Sequence, residues 1–229
     1  MSIIVKICGL ATPGALGAAL DVGADMVGFV FFDRSPRHVS LEQVASLSAL
    51  VGGGAAKVLL TVDADDASLA AAIGALEPSY LQLHGGETPE RVAAIRSSFG
   101  LKVIKAIAIG ESADLAQIRR YDAIADMLLL DAKPKPNSER PGGNGLGFDW
   151  SLLAGFEMKK PWLLAGGLDA ANVARALALT GAPGVDVSSG VESAPGVKDS
   201  AKIAQFIEEA RAAQNGERRN GLGLARRSV

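Results

Sequence analysis

Residues 2–9 read S-I-I-V-K-I-C-G, a β-branched run that predicts the first strand of the fold. Side chains alternate across a strand, so Lys6 and Cys8 share one face while three isoleucine and valine side chains share the other. The polar face places a cation beside the only cysteine of the chain. A neighbouring cation lowers the pKa of a thiol and favours the reactive thiolate. A buried structural cysteine is the alternative at this position.

Strand-like runs of this kind recur along the chain and alternate with helix-like segments. The predicted strands are Ile3–Cys8, Asp25–Phe31, Ala56–Val62, Ser79–His84, Leu101–Ile107, Asp126–Asp131, Pro161–Ala165 and Gly184–Ser188. The predicted helices are Pro13–Val22, Ser40–Val51, Asp65–Leu76, Thr88–Ser98, Ser112–Tyr121, Asp169–Thr180 and Lys198–Ala213. Such alternation indicates parallel strands joined by crossover helices. Eight units predict an α/β protein with a single closed (β/α)8 TIM barrel, and a doubly wound open sheet is the weaker alternative.

Composition limits the class of protein. The 229 residues are 48% hydrophobic and 21% charged, which suits one large domain. A net charge of -2 gives no electrostatic footprint for nucleic acid. A single cysteine forms no internal disulfide, which favours a reducing compartment. The sequence shows no cleavable apolar leader and no apolar run long enough for a bilayer. We therefore expect a cytoplasmic protein without nucleic-acid or membrane partners.

Two segments depart from the alternating pattern. Residues 133–148 read K-P-K-P-N-S-E-R-P-G-G-N-G-L-G-F, where prolines and glycines exclude a helix. Their position after the sixth strand predicts a mobile lid over an active site. Residues 214–229 carry four arginines and few apolar side chains, which predicts a flexible, disordered basic tail. The predicted barrel domain therefore spans residues 1–213.

Polar side chains lie on the predicted inward face of several strands. They are Lys6 and Cys8 on the first strand, Gln82 and His84 on the fourth, Asp131 on the sixth and Asp186 on the eighth. An unpaired buried polar group costs about 1–3 kcal/mol, so this many polar side chains would strongly destabilise an ordinary apolar core. They predict a polar pocket at the C-terminal ends of the strands, where barrel active sites lie. In such a pocket Cys8 becomes a catalytic candidate.

Glycine-containing turns after the last two strands indicate what this pocket binds. Gly166 and Gly167 follow the seventh strand, and Ser189 and Gly190 follow the eighth. Backbone N–H groups in such turns bind phosphate, so the two turns together predict a phosphorylated small-molecule substrate. Arg37, in the loop after the second strand, suits a substrate carboxylate. The sequence contains no G-x-x-x-x-G-K-[ST] nucleotide-binding loop and no G-x-G-x-x-G motif after the first strand. With two histidines and one cysteine, it predicts no metal site.

These residues belong to a wider resemblance. Over residues 3–207 the sequence resembles the phosphoribosylanthranilate isomerase family. The matching motifs are K-I-C-G at 6–9, G-A-D-M-V-G-F-V-F at 23–31, S-P-R-H-V-S at 35–40, L-Q-L-H-G at 81–85, L-L-L-D at 128–131, G-F-D-W at 147–150, A-G-G-L-D-A-A-N-V at 165–173, V-D-V-S-S-G-V-E at 185–192 and P-G-V-K-D at 195–199. The resemblance implies a cofactor-free Amadori rearrangement in tryptophan biosynthesis. Its substrate would be N-(5'-phosphoribosyl)anthranilate and its product 1-(2-carboxyphenylamino)-1-deoxyribulose 5-phosphate.

The resemblance also implies a role for each matching residue. Cys8 matches the family's general base, and Asp131 matches its general acid. Arg37 matches the arginine that holds the anthranilate carboxylate, and the two glycine-containing turns match the phosphate site. His84 and Asp186 match pocket positions without a firm individual role. This mechanism requires a protonated carboxyl group at Asp131 and an ionised thiol at Cys8, assisted by the lysine of the same strand face. A monomer or homodimer is expected.

Three other functions remain open from the sequence. One is a related phosphosugar isomerase of the histidine pathway, or a bifunctional enzyme that serves both pathways. Another is a lyase such as the tryptophan synthase α-subunit. Both of these would be expected to use carboxylates where Cys8 stands. The third is a phosphate-binding barrel that acts as a scaffold or sensor, against which the pairing of Cys8 with Asp131 argues.

Overall fold

The strands form a closed barrel. A computed structural model describes residues 2–134, 142–143, 145, 147–158 and 160–225, with residues 215–225 described through their backbone only. The barrel strands are β1 (Ile4–Cys8), β2 (Met26–Phe31), β3 (Ala56–Thr61), β4 (Tyr80–Leu83), β5 (Lys102–Ile109), β6 (Met127–Ala132), β7 (Trp162–Leu164) and β8 (Gly184–Val187). All pair in parallel with their sequence neighbours, and β8 also pairs with β1. This closure confirms the predicted barrel and excludes the open sheet.

Helices connect the strands on the outside of the barrel. Within the described residues the α-helices are α1 (Pro13–Asp21), α2 (Leu41–Val51), α3 (Asp66–Leu76), α4 (Pro89–Phe99), α5 (Leu115–Tyr121), α6 (Val173–Thr180) and α7 (Ser200–Ala225). The first four begin where the sequence supplies a capping side chain. Thr12, Ser40, Asp65 and Thr88 each accept a hydrogen bond from the backbone N–H three residues later. Each cap fixes the residue at which the chain, after leaving the end of a strand, begins the helix that leads to the next strand.

The strand bounds agree with the predictions to within two residues, and the main differences lie after β6 and β8. Short 3-10 helices lie at Ser112–Asp114, Trp150–Leu153 and Ser189–Val191. After β8 the chain forms an unpredicted antiparallel pair, β9 (Glu192–Ala194) and β10 (Val197–Lys198). Strands of three and two residues are too short to show a period, so the sequence pattern did not reveal them. Lys198, predicted to begin the last helix, lies in β10 instead.

The last helix extends past the predicted barrel boundary at residue 213. Its backbone continues as helix to Ala225. The domain boundary at residue 213 and the disorder of the tail stay predictions. Gln214 also contacts the barrel, because its Oε1 accepts a hydrogen bond of 2.8 Å from the Ile3 N–H. Residues 226–229 and most of the predicted lid at 133–148 lie outside the described residues.

Strand side chains alternate between two buried layers. The outward side chains of β1, such as Val5 and Ile7, join a core between the barrel and the helices. A second core fills the barrel interior and comprises Met26, Val58, Ile104, Met127, Leu129, Leu163 and Ala165. Lys6 and Cys8 point inward, as the alternation predicted. No helix in the described ranges is long and apolar enough to cross a membrane.

Candidate active site

One cavity at the C-terminal ends of the barrel strands gathers most of the predicted site residues. The predicted residues that line it are Cys8, Arg37, His84, Asp131, Gly166, Gly167, Asp186 and Ser189. They come from the ends of β1, β4, β6 and β8 and from the loops after β2, β7 and β8. Gly190 is absent from the lining and packs behind it. The barrel thus brings together side chains that are up to 181 residues apart in the sequence.

A buried ion pair underlies the cavity. Lys6 is fully buried, and its Nζ lies 2.8 Å from Oδ1 of Asp186 on the neighbouring strand. The register of β1 with β8 places these two residues side by side. Burial alone lowers the pKa of Lys6, but the Asp186 carboxylate, together with the Cys8 thiolate wherever that group is ionised, outweighs burial and raises that pKa above its ordinary value. The ammonium group therefore stays charged beneath Cys8.

The Cys8 thiol is buried at the end of β1, with 3% of the residue exposed. Burial raises the pKa of Cys8 above its ordinary value, although Lys6 and Lys198 act to lower it. Asp186 raises the pKa of Cys8, so the partner of Lys6 opposes the effect of Lys6 on the thiol. Lys6 therefore lowers the pKa of the thiol, as the sequence predicted, but burial outweighs the attraction of the cation, so the net shift is upward.

Space for these two groups comes from a glycine that the sequence analysis missed. Gly28 lies opposite Cys8 in the β1–β2 register. A Cβ at this position would lie 3.0 Å from Cys8 Sγ and 3.1 Å from Lys6 Nζ. Glycine inside a strand marks such a close approach, so Gly28 was identifiable from its place in the second strand.

Asp131 is held by contacts on both of its oxygens. Oδ1 accepts a hydrogen bond of 2.8 Å from the Ala132 N–H, and Oδ2 lies 3.2 Å from His84 Nε2. The other ring nitrogen of His84 lies 2.9 Å from Nε2 of the buried Gln82. Donation from this amide makes Nδ1 an acceptor, from which we infer that the ring proton is on Nε2 and faces Asp131. Gln82 therefore orients the ring of His84, and His84 in turn contacts the carboxyl group of Asp131.

The turns after β7 and β8 require glycine for steric reasons. Gly166 and Gly167 have φ angles of 84° and 67°, a region that side chains disfavour. A Cβ on Gly166 would lie 2.6 Å from the Ala132 nitrogen. A Cβ on Gly190 would collide with the carbonyl oxygen of Leu168, so the two turns meet backbone to backbone. Backbone groups of both turns therefore lie together at one side of the cavity, where the sequence predicted a phosphate site.

Arg37 lines the cavity but is already paired with a carboxylate of the protein. Its Nε and Nη2 donate hydrogen bonds of 2.6 and 2.8 Å to the two carboxylate oxygens of Glu192 on β9. Only 4% of Arg37 is exposed. Lys198 on β10 also binds Glu192, with Nζ 2.8 Å from Oε1. Sequence reasoning missed both residues, although the P-G turn between V-E-S-A and V-K is a hairpin signal that could have revealed them.

Comparisons with known proteins agree with this geometry. The family model described as N-(5'-phosphoribosyl)anthranilate (PRA) isomerase matches residues 5–209. A protein of Beijerinckia indica named N-(5'-phosphoribosyl)anthranilate isomerase is 64% identical over 220 residues, covering 96% of this chain and 99% of its own.

Solved structures give the same result. One is a phosphoribosyl anthranilate isomerase in complex with reduced 1-(o-carboxyphenylamino)-1-deoxyribulose 5-phosphate. Another presents monomers generated from the dimeric phosphoribosylanthranilate isomerase of Thermotoga maritima. Each has a TM-score of 0.79 and 30% sequence identity, and the match covers 92% of this chain and 99% of the other.

Proposed function

The chain belongs to the N-(5'-phosphoribosyl)anthranilate isomerase family, and on that premise we propose which of its residues carry the reaction. The protein is an isomerase of tryptophan biosynthesis. It converts N-(5'-phosphoribosyl)anthranilate to 1-(2-carboxyphenylamino)-1-deoxyribulose 5-phosphate by an acid–base Amadori rearrangement. Cys8 is the general base of this reaction and Asp131 is the general acid. The observation that carries the proposal is that both groups line one cavity, from opposite parts of the barrel sheet.

The proton transfers follow from this placement. Asp131 protonates the ribose ring oxygen, and the bond between that oxygen and C1 breaks to leave an iminium group. Cys8 removes the proton from C2, which gives an enolamine. The enolamine is protonated at C1 and loses its hydroxyl proton to become the ketone. Acid and base catalysis by positioned groups contribute about 10²–10⁴-fold each.

Because the pKa of Cys8 is raised, the thiolate that acts as the base is present in only a minority of the molecules. A thiolate of high pKa is a stronger base than one of ordinary pKa, so each ionised molecule removes a carbon-bound proton more readily. The cations of Lys6 and Lys198 favour the ionised form and so limit the cost of forming it. The buried site also excludes water that would compete for the proton.

Arg37 and the two glycine-containing turns bind the substrate. Arg37 holds the anthranilate carboxylate. The turns that contain Gly166, Gly167, Ser189 and Gly190 hold the phosphate through their backbone, which the steric requirement for glycine supports. No cofactor is needed for these steps.

His84 and Asp186 act on neighbouring groups. His84 orients the carboxyl group of Asp131, and Asp186 fixes the ammonium group of Lys6 below the thiol. The chemistry is consistent with a cytoplasmic enzyme, acting as a monomer or homodimer on a phosphorylated small molecule. The absence of nucleic-acid and membrane partners stays a prediction.

Steady-state kinetics of Cys8→Ala and Asp131→Asn test the proposal, with the fluorescence of the anthranilate sugar as the signal. We expect kcat to fall by about 10²-fold or more for each variant, while KM changes only a few-fold. Asp21→Asn, on the exposed end of α1, is the matched control and should turn over normally. Normal turnover by either test variant refutes the role assigned to that residue.

A further inference from the structure

A buried cluster of charges on the short strands β9 and β10 lies directly behind the candidate substrate arginine. The side chains of Arg37, Glu192 and Lys198 are 5%, 4% and 2% exposed. Charged side chains are almost never buried so completely unless they are paired, and a buried pair by itself is weak evidence for stability. Since burying charges adds little to stability, the cluster needs another explanation.

Glu192 fixes the plane of the Arg37 guanidinium. Both carboxylate oxygens accept from Arg37, and this fork-shaped contact allows only one orientation of the planar group. Glu192 is itself held from other directions. The Gly196 N–H donates to Oε2 at 3.2 Å, and Lys202 donates to the Glu192 carbonyl oxygen at 2.7 Å. Burial raises the pKa of Glu192, but Arg37 and Lys198 outweigh burial and bring the pKa below its ordinary value, so the carboxylate is ionised.

Lys198 links the same carboxylate to the turn after β8. Its Nζ lies 2.8 Å from Glu192 Oε1, 2.8 Å from the Ser188 carbonyl oxygen and 3.2 Å from Ser188 Oγ. Ser188 Oγ in turn donates to the carbonyl oxygen of Cys8 at 3.1 Å. One ammonium group therefore contacts both the partner of Arg37 and the segment that supports Cys8.

We propose that Glu192 and Lys198 are positioning residues for the isomerase reaction. Glu192 aims the Arg37 guanidinium at the cavity, and Lys198 fixes Glu192 and Ser188 relative to each other. The hairpin of β9 and β10 is then a working part of the active site, although it lies outside the barrel sheet. The inference rests on the proposed role of Arg37 in binding the substrate carboxylate.

A double-mutant cycle tests the inference. Glu192→Gln keeps the shape of the side chain but removes the charge and one acceptor, so the guanidinium loses its fixed plane. We expect KM to rise about 10- to 100-fold while kcat stays within about 3-fold. In an Arg37→Met background Glu192→Gln should add no further rise in KM, because its effect passes through Arg37. Glu209→Gln makes the same chemical change on an exposed face of α7 and serves as the control.

The outcomes separate the inference from the proposal beneath it. An unchanged KM for Arg37→Met overturns the role of Arg37 itself. A raised KM for Arg37→Met with a normal KM for Glu192→Gln overturns only the positioning role of Glu192. The same conclusion follows if the effects of the two substitutions on KM multiply in full in the double variant. If Glu192→Gln does not fold, the variant Lys198→Met tests the inference instead. We expect Lys198→Met to raise KM and to shift the thiol titration of Cys8 to higher pH. If both KM and the titration stay unchanged, the inference is overturned.

Discussion

The environment of Cys8 shows how far alternation along one strand predicts chemistry. The pattern of S-I-I-V-K-I-C-G placed Lys6 and Cys8 on one inward face, and the structure confirms it. The pattern could not show that Asp186 lies 2.8 Å from Lys6, because the closure of β8 onto β1 sets that neighbour. Nor could it show how deeply the thiol is buried. The direction of the pKa shift depends on these two missing facts.

The burial of Cys8 determines how its thiol titrates. Because burial raises its pKa, we expect the thiolate to form only above the ordinary value of 9.0. The base must be deprotonated to act, so kcat/KM should rise with pH through neutrality into the alkaline range. Thiolate absorbance in the ultraviolet measures the pKa without ambiguity, since Cys8 is the only cysteine and Cys8→Ser supplies the blank. A midpoint below the ordinary value contradicts the prediction.

Asp186→Asn provides a second test of the same electrostatics. The charge of Asp186 raises the pKa of Cys8, so its removal should shift the thiolate titration to lower pH. The substitution keeps the size of the side chain and leaves the charge of Lys6 less compensated. Thiolate absorbance against pH is the measurement, with the wild-type protein as reference. A shift to higher pH would show that Asp186 acts on Cys8 in another way.

The loop between β4 and α4 depends on a further buried ion pair that the sequence did not suggest. Lys105 on β5 lies 2.7 Å from Glu87 and also donates to the carbonyl oxygens of Leu83 and Gly85. Glu87 accepts from the backbone N–H of Gly85 and Asp63. The pair therefore binds the loop that directly follows His84. Lys105 shares the outward face of β5 with Val103 and Ile107, where the helices cover it and leave 2% of the residue exposed.

We predict that Lys105→Met destabilises the protein by about 3–5 kcal/mol, because it leaves the Glu87 carboxylate buried without its cation. Lys102→Met on the same strand is the matched control, since Lys102 is exposed and its Nζ lies 5.6 Å from the centroid of the Tyr80 ring. We expect that control to cost less than about 1 kcal/mol. Urea unfolding followed by circular dichroism measures both variants. Equal losses would show that burial of the Lys105–Glu87 pair contributes nothing particular.

The eightfold alternation of the sequence predicted the closed barrel, with a doubly wound open sheet as the weaker alternative, and the structure confirms the barrel. Parallel strands with crossover helices suit an open sheet as well as a barrel, and only the pairing of β1 with β8 decides between them. The hairpin of β9 and β10, which carries Glu192 and Lys198, has strands too short to show a period, so its P-G turn is the local signal by which the sequence marks it. The site residues on long strands and glycine turns were predictable, whereas those that depend on such tertiary contacts were not.

The closing interactions of the chain give the last prediction, which tests where the folded unit ends. In α7, Ala210 is buried, Arg211 donates to the Gly23 carbonyl oxygen at 2.6 Å and to Asp25 at 3.1 Å, and Gln214 accepts from the Ile3 N–H. These contacts hold the start of the chain against its last helix. A chain that stops after residue 214 keeps all of them, whereas a chain that stops after residue 209 loses them.

We expect the chain of residues 1–214 to retain wild-type kcat/KM and an unchanged free energy of unfolding. The chain of residues 1–209 should lose about 2–4 kcal/mol, from roughly three hydrogen bonds and one buried methyl group. Urea unfolding and the fluorescence assay measure both. A large loss already in 1–214 would show that the helical backbone of 215–225 contributes to the fold, and that the barrel domain extends beyond the boundary predicted from composition.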